Sequence, residues 1–137
     1  MEQMDARSQV AALIQRARQA QQNLETYNQA AVDELVTAAA WALVNPSNNK
    51  KLSELAVAET GLGKVADKIT KNHRKTLGLL RDLKGAKTVG VINRDPAMGI
   101  VEIARPVGVV GAIVPSTNPV ATPMNMILNA LKCRNAI

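Results

Sequence analysis

The sequence predicts an α/β fold, in which a block of helices precedes a β-hairpin and one strand–turn–helix unit. The first 84 residues place apolar side chains at helical spacing, with breaks at Asn-Pro and Gly. Two short β-rich runs follow, separated by the turn-forming sequence DPAMG. Val107–Val114 is then an uncharged apolar run rich in β-branched residues, which is typical of a strand buried on both faces. These patterns indicate helices packed beside the beginning of a parallel sheet.

The helices can be bounded from local signals. Four are predicted in the first 85 residues, at Asp5–Leu24, Gln29–Val44, Ser47–Thr60 and Lys64–Lys84. The second should end at Asn45, because the residue before a proline is driven out of helical geometry. Gly61 and Gly63 should end the third, since glycine readily adopts the left-handed conformation that follows many helices.

Each helix has a face that we expect to point inward. The apolar residues at helical spacing are Val10, Leu13, Ile14, Ala17 and Leu24 in the first helix, Val32, Leu35, Val36, Ala39 and Leu43 in the second, Leu52, Leu55 and Ala56 in the third, and Val65, Ile69, His73, Leu77, Leu80 and Leu83 in the fourth. The outer face of the fourth helix is basic, with Lys68, Lys71, Arg74, Lys75 and Arg81. We interpret these charges as solvated.

A β-hairpin is predicted after the helices. Its strands are Thr88–Asn93 and Ile100–Ala104, joined through DPAMG, whose proline and glycine favour a turn. Alternation through Val101 and Ile103 suggests that the second strand has one apolar face.

The turn after Val107–Val114 is the main candidate for a functional site. Pro115 stops the strand, and Ser116, Thr117 and Asn118 supply two hydroxyls and an amide. Enzymes of the α/β class bind ligands at the carboxyl ends of such strands. From the residues alone, a ligand-binding turn and an ordinary capped turn are equally favoured.

A helix should follow this turn. Thr122 is expected to cap it, with Pro123 at its first position and Met124–Lys132 as its body. Asn135–Ile137 could begin the next strand. Because a parallel strand requires a neighbour reached through a crossover, we expect a truncated sheet and a longer parent protein. The near absence of aromatic residues also argues against a self-sufficient domain.

Composition narrows the classes of function. A hydrophobic content of 47% excludes general disorder, and no apolar run approaches the roughly 20 residues that span a bilayer. The net charge of +6 invites a nucleic-acid partner. However, basic and acidic residues are interleaved and aromatic residues for base stacking are scarce, so neither nucleic acid nor membrane is an expected partner. The polar start, MEQMDARSQ, is unlike a secretory signal and favours a cytoplasmic location.

Two isolated side chains receive ordinary interpretations. His73 has no second histidine or cysteine nearby, so we interpret it as a partly buried, hydrogen-bonded residue instead of a metal ligand or base. Cys133 is the only cysteine and lies at a helix end, which favours a structural or incidental role over that of a nucleophile. No metal site is expected. The glycines of VGVVG lie inside the strand and do not form GxGxxG.

The run ARPVGVVGAIVPSTNPVATPMNMILNALKCRNAI is similar to the aldehyde dehydrogenase superfamily. Its most specific parts are PVGVVGAIVPSTNP and LKCRNAI, and AETGLGKVADKITKNH adds to the likeness. The resemblance is greatest to the CoA-acylating branch, including the aldehyde dehydrogenase half of bifunctional aldehyde-alcohol dehydrogenases. It implies that residues 1–85 are a helical part of the cofactor domain, and that residues 86–105 are a hairpin of the oligomerisation region. Residues 106–137 would then be the incomplete start of a Rossmann-like NAD(P)-binding sheet.

The resemblance also implies a reaction. In this family a cysteine thiolate attacks a small aldehyde, a hydride passes to NAD or NADP, and in the acylating branch coenzyme A takes the acyl group from the thioester. The nucleophilic cysteine belongs to a later segment, and Cys133 does not match it. Homo-oligomers are expected. The substrate stays open among acetaldehyde, propanal, succinate semialdehyde and sulfoacetaldehyde. The alternatives are a non-acylating aldehyde dehydrogenase, or a helical interaction module that leaves VGVVGAIVPSTNP unexplained.

One departure from the family pattern concerns the polar turn. Hydrolytic members have Pro-aromatic-Asn-aromatic-Pro here, and the asparagine donates to the oxyanion. Alignment on the prolines puts Thr117 at that place, with Asn118 one residue late. We predict Asn118 as the oxyanion donor, with Thr117 as its rival, and Pro115, Ser116 and Thr117 as cofactor-binding residues.

Overall fold

A computed structural model describes residues 5–137. Its elements, in chain order, are α1 (Ala6–Glu25), α2 (Gln29–Val44), α3 (Pro46–Thr60), α4 (Val65–Leu83), β1 (Gly90–Asp95), β2 (Ile100–Ala104) and α5 (Ala121–Lys132). The four N-terminal helices and the hairpin agree with the sequence prediction to within two residues at nearly every end, and the mixed α/β class is confirmed. No helix in the described part of the chain has the length and apolar character that crossing a bilayer requires.

The helix boundaries follow from short-range chemistry. Asp5 caps α1 by accepting hydrogen bonds from the backbone N–H groups of Arg7 and Ser8, at 2.8 and 3.1 Å. Asn45 ends α2 and caps α3, with Pro46 at the first position of α3. Gly61 follows α3 in the left-handed conformation, at φ 67°.

The core lies where α2, α4 and α5 meet. Val32, Val36 and Ala40 of α2 pack with Leu128 of α5, and partly buried leucines of α4 close the cluster. The inward face predicted for α2 is therefore largely confirmed. Burial of these side chains is the main stabilising contribution to the fold.

The inward face predicted for α1 is confirmed at Leu24 and is wrong for Val10, Leu13 and Ile14. Val10 and Leu13 are more than half exposed, and only Gln21 and Leu24, near the end of the helix, are buried. A polar contact helps to hold the C-terminal end of α1: the Gln21 side chain donates to the backbone carbonyl of Arg134 at 3.4 Å. Most of the apolar face of α1 is thus uncovered by other described residues.

The facing surfaces of α3 and α4 also differ from the prediction, apart from Ala56, which is buried as expected. Leu52 and Leu55 are exposed, while Asn49 and Ser53 are buried together with Asn72 of α4. The Asn72 side-chain amide donates to the Asn49 side-chain oxygen at 3.0 Å and to the Ser53 hydroxyl at 3.1 Å. Apolar periodicity misplaces this face because the three polar side chains satisfy one another and can be buried.

Three further residues of α4 differ from the prediction. His73, interpreted as partly buried and hydrogen-bonded, is exposed, and so is Leu77. Lys68, expected on the solvated basic face, is only 6% exposed.

The β-hairpin pairs β1 with β2 antiparallel, from Gly90 opposite Ala104 to Asp95 opposite Ile100. The register shifts between Val91 and Asn93, so one residue of β1 bulges out of the ladder. Four of the five residues in β2 are exposed, so its apolar face is not covered by the helices.

The buried strand predicted at Val107–Val114 is wrong for the described chain. Val109 forms a single parallel bridge with Ala136, and the rest of the run is irregular. Val107 is 83% exposed and Ile113 is 90% exposed, because no described element covers either face. The direction of pairing is nevertheless the expected one, since the bridge joins the run to the residues that follow α5.

The start of α5 is also corrected. The helix begins at Ala121, before the predicted cap Thr122, and no side chain caps it. Pro123 therefore sits in its first turn, where an absent backbone N–H costs nothing.

Candidate functional site

The polar turn at residues 115–119 connects the Val109 bridge to α5. Ser116 and Thr117 are exposed, whereas Asn118 is partly buried. The backbone carbonyl of Asn118 accepts a hydrogen bond from the N–H of Thr122 at 3.3 Å, which ties the turn to the first turn of α5. Of the four predicted site residues, Asn118 is the one whose side chain hydrogen-bonds to another described element.

That element is α4. The Lys71 ammonium donates a short hydrogen bond to Oδ1 of Asn118. Because this contact occupies the acceptor end of the amide, the Nδ2 end stays available to donate to another group. The turn can therefore present an uncharged N–H donor in an orientation fixed from α4.

Lys71 is electrostatically perturbed. Burial, and secondarily the positive charge of Lys68, lowers the pKa of the Lys71 ammonium. The sequence alone did not bring Lys71 and Asn118 together, since they are 47 residues apart and belong to different elements. No pattern in either segment signals the contact.

A cavity of about 630 Å³ lies beside Lys71, between the exposed side of α4 and α5. Its lining includes Lys71, Arg74 and Lys75 as cations and Asp67 and Asp82 as anions. Asn125 of α5 also lines the cavity, and its side-chain oxygen is buried without a hydrogen-bond partner among the described residues.

A second cavity, of about 290 Å³, adjoins the other end of the turn. Pro119 and Val120 line it together with Leu43 of α2, Leu52 of α3 and Met124 of α5. The cavity surface is mainly apolar. Leu52, which is not part of the helix core, lies in this lining. Pro119 of the turn thus lines the apolar cavity, and Lys71, which contacts Asn118, lines the cationic one.

The segment LKCRNAI positions the run that precedes the turn. The Asn135 side-chain oxygen accepts hydrogen bonds from the backbone N–H groups of Val107 and Gly108, at 2.7 and 2.9 Å. Arg134, the one described non-glycine residue with a left-handed backbone (φ 58°), donates from its guanidinium to the Glu25 carbonyl at 2.6 Å. These contacts give a physical role to a motif that the sequence marked only as distinctive.

Lys132 adds an ion pair to the same segment, with its ammonium buried and the Asp33 carboxylate partly exposed. Its ammonium is 2.5 Å from the Asp33 carboxylate, and its side chain is 3% exposed. Burial alone would raise the pKa of Asp33, but hydrogen bonds from Lys132 and Gln29 and the charge of Lys132 lower it overall. Sequence reasoning missed this pair.

Neither isolated reactive residue joins the site. His73 is exposed on α4, and Cys133 is exposed at the end of α5 with no side-chain hydrogen bond to a described residue. Within residues 5–137, no group of three or more His, Cys, Asp and Glu side chains is arranged to hold a metal ion.

Comparison with known proteins identifies close relatives. Over 128 residues the chain is 66% identical to the acylating sulfoacetaldehyde dehydrogenase of Cupriavidus necator. This match covers 93% of this chain and 26% of that protein. It is 40% identical over 126 residues to the bifunctional aldehyde-alcohol dehydrogenase of Escherichia coli K12, covering 92% of this chain and 14% of that one. The crystal structure of an acetylating aldehyde dehydrogenase from Geobacillus thermoglucosidasius matches with a TM-score of 0.90 and 40% identity, over 95% of this chain and 28% of that one.

The chain spans about a quarter of the length of the first of these relatives. The sequence profile of the aldehyde dehydrogenase family matches residues 2–137, which is nearly the whole chain. The family resemblance seen in the sequence is confirmed: this chain belongs to the aldehyde dehydrogenase family, and its relatives include acylating members.

Proposed function

We propose that this chain is the N-terminal part of an NAD(P)-dependent, CoA-acylating aldehyde dehydrogenase. The enzyme would oxidise a small aldehyde to its acyl-CoA through a cysteine thioester. The observation that carries the proposal is the 66% identity to an acylating relative. The non-acylating alternative is less favoured, because several of the similar proteins bear acylating or acetylating names.

The proposed role of Asn118 is to stabilise the oxyanion. When a thiolate attacks an aldehyde, the carbonyl oxygen gains charge and needs a donor about 3 Å away. The Asn118 amide is uncharged at any working pH, and the Lys71 contact at its oxygen leaves its N–H groups free to donate. Pro119 restrains the backbone of Asn118, which further limits where the side chain can point.

The proposed cofactor contacts are made by Pro115, Ser116 and Thr117. All three are exposed, and neither hydroxyl hydrogen-bonds to another described residue, so both are free to bind an added group. This arrangement fits a nicotinamide cofactor bound at the carboxyl end of the Val107–Val114 run. NAD or NADP would accept the hydride from the substrate, and coenzyme A would be the acyl acceptor.

We propose sulfoacetaldehyde as the first substrate to test, because that aldehyde appears in the name of the 66% identical relative. The further proposal is that residues 86–105 contribute to a homo-oligomer. The exposed side chains of Val101 and Ile103 on β2 support it, since uncovered apolar strand faces favour association. The cytoplasmic location stays a prediction from the sequence.

The test uses the complete enzyme that we propose. NAD(P)H formation from aldehyde should require coenzyme A and yield acyl-CoA, whereas a non-acylating enzyme would release the free acid without coenzyme A. Asn118→Ala should lower turnover by roughly a hundredfold while the protein stays folded.

Thr117→Val tests the rival donor. It should lower turnover much less than Asn118→Ala, and because Thr117 is a proposed cofactor contact, its effect should appear mainly in the KM for NAD(P)+. If Thr117→Val causes the large loss and Asn118→Ala is near neutral, then the proline-to-proline alignment is right and Thr117 is the donor.

A further inference from the structure

The cavity lined by Lys71, whose ammonium contacts Asn118, has the chemistry of an anion-binding site. We propose that Lys71 and Arg74 form a subsite for the charged end of the aldehyde, so that the preferred substrate is a short aldehyde bearing a sulfonate or carboxylate close to its carbonyl. This inference rests on the proposed function. It goes further by assigning recognition of the anion to two named side chains of α4.

The first argument is spacing. The Lys71 ammonium is hydrogen-bonded to Oδ1 of Asn118, and the proposed oxyanion donor is Nδ2 of the same amide. The cation and the donor are thus separated by one amide group and one hydrogen bond. A substrate that engages both must carry its anion within one or two bonds of the aldehyde carbon. Sulfoacetaldehyde satisfies this requirement better than succinate semialdehyde, whose carboxylate is one carbon further away.

The second argument is charge. Arg74 and Lys75 follow Lys71 on α4 by three and four residues, which brings each of them close to it, and all three line the cavity. Among the described residues, none of them forms an ion pair. Of the two acids in the lining, Asp82 is already paired with Arg81 at 3.0 Å. Asp67 is the one acid left to offset the three cations.

The third argument is desolvation. Lys68 is only 6% exposed, and its charge contributes to the lowered pKa of Lys71. Bringing cations together in a partly buried place is unfavourable unless an anion compensates them. A bound sulfonate would supply that compensation, and its hydrogen bond to an ammonium would be of the stronger, charge-assisted kind.

The experiment compares kcat/KM for sulfoacetaldehyde, succinate semialdehyde and the neutral propanal in the complete enzyme. Wild type should prefer sulfoacetaldehyde. Lys71→Met should lose about ten- to a hundredfold more activity on sulfoacetaldehyde than on propanal, the range expected for a hydrogen bond to a charged group. Any loss common to both aldehydes reports the contact with Asn118. Arg74 does not contact Asn118. Arg74→Met should therefore lower kcat/KM for sulfoacetaldehyde relative to propanal, mainly by raising KM, with no loss common to both aldehydes.

Lys87→Met is the matched control, because Lys87 is exposed and lies outside the cavity lining. This substitution should affect kcat/KM equally for all three aldehydes. Equal losses on sulfoacetaldehyde and propanal in Lys71→Met and Arg74→Met would overturn the subsite, and so would a wild-type preference for propanal. A wild-type preference for succinate semialdehyde would contradict the spacing argument and would likewise overturn the proposal.

A binding measurement separates this inference from the proposed function. Calorimetric titration with the unreactive analogue ethanesulfonate should detect binding to wild type and to Lys87→Met, and binding at least about tenfold weaker to Lys71→Met. If no aldehyde gives CoA-dependent turnover, the proposed function fails, while the titration still decides the subsite. Undiminished ethanesulfonate binding in Lys71→Met would overturn it.

Discussion

Replacing Asn72 with alanine should weaken the contact between α3 and α4 by about 3 kcal/mol. The amide of Asn72 is 1% exposed and donates two hydrogen bonds, to Asn49 at 3.0 Å and to Ser53 at 3.1 Å. Each bond contributes about 1 kcal/mol net, and the void left by the amide adds about 1 kcal/mol. Asn49 and Ser53 keep a hydrogen bond to each other, so neither is left without a partner.

Hydrogen–deuterium exchange of peptides from α3 and α4 measures this loss locally, whatever the stability of the rest of the protein. A loss of about 3 kcal/mol corresponds to roughly hundredfold faster exchange where the two helices open together. Asn48→Ala is the matched control: it removes an exposed hydrogen bond to the Ala42 carbonyl and should accelerate exchange by less than about tenfold. Equal effects of the two substitutions would refute the reasoning. If Leu55→Ala accelerated exchange more than Asn72→Ala, the result would instead support the apolar contact face that periodicity predicts.

Three further predictions concern the 137-residue chain expressed alone and the ion pair between Asp33 and Lys132. The 137 residues expressed alone should form no acyl-CoA with aldehyde, coenzyme A and NAD(P)+, because the proposed nucleophilic cysteine lies in another segment; turnover above buffer would contradict this. The same chain should self-associate and bind a hydrophobic dye, since Val107 and Ile113 are 83% and 90% exposed; a soluble monomer with a sharp cooperative melt would argue against it. Asp33→Asn should lower stability by about 2 kcal/mol at neutral pH, because it strands the buried Lys132 ammonium, a cost reduced here by the 45% exposure of the carboxylate. The folded-state pKa of Asp33 is lowered, so its stabilising contribution is complete above the unperturbed value of 3.8 and disappears as the pH falls through the lower, folded-state pKa; thermal melts of wild type and variant should therefore converge in acid, and a constant gap between pH 7 and pH 3 would refute the assignment.

The sequence predicted helix ends well because their signals are local. Asp5, Asn45 with Pro46, and Gly61 act on backbone groups within a few residues of themselves. Burial was predicted less well, since it depends on partners that a sequence window does not contain. The Val107–Val114 run has the composition of a buried strand, yet the residues described here supply only one bridge to it.

The candidate site also has features that the sequence could predict and features that it could not. The polar turn and Asn118 could be selected from residue types and family resemblance, because both act within one short stretch of sequence. The contact from Lys71 could not be selected, because side-chain hydrogen bonds between distant elements leave no periodicity or spacing. Lys68 and Asn72 are buried, so the inward face of α4 is not the apolar stripe that periodicity predicts, and Lys71 lies next to this buried face.

The hydrogen bonds of Asn135 bear on how the strand–turn–helix unit is synthesised. Its side chain accepts from the backbone of Val107 and Gly108, which are 28 and 27 residues earlier in the chain. Every partner in this closure has therefore left the ribosome once residue 135 emerges, and so has the end of α1 that Arg134 contacts. A loop of this length has only a modest entropic cost of closure. The unit can consequently dock on the helices during translation, and the edge at Val109 is then available as a template to which a neighbouring parallel strand can add.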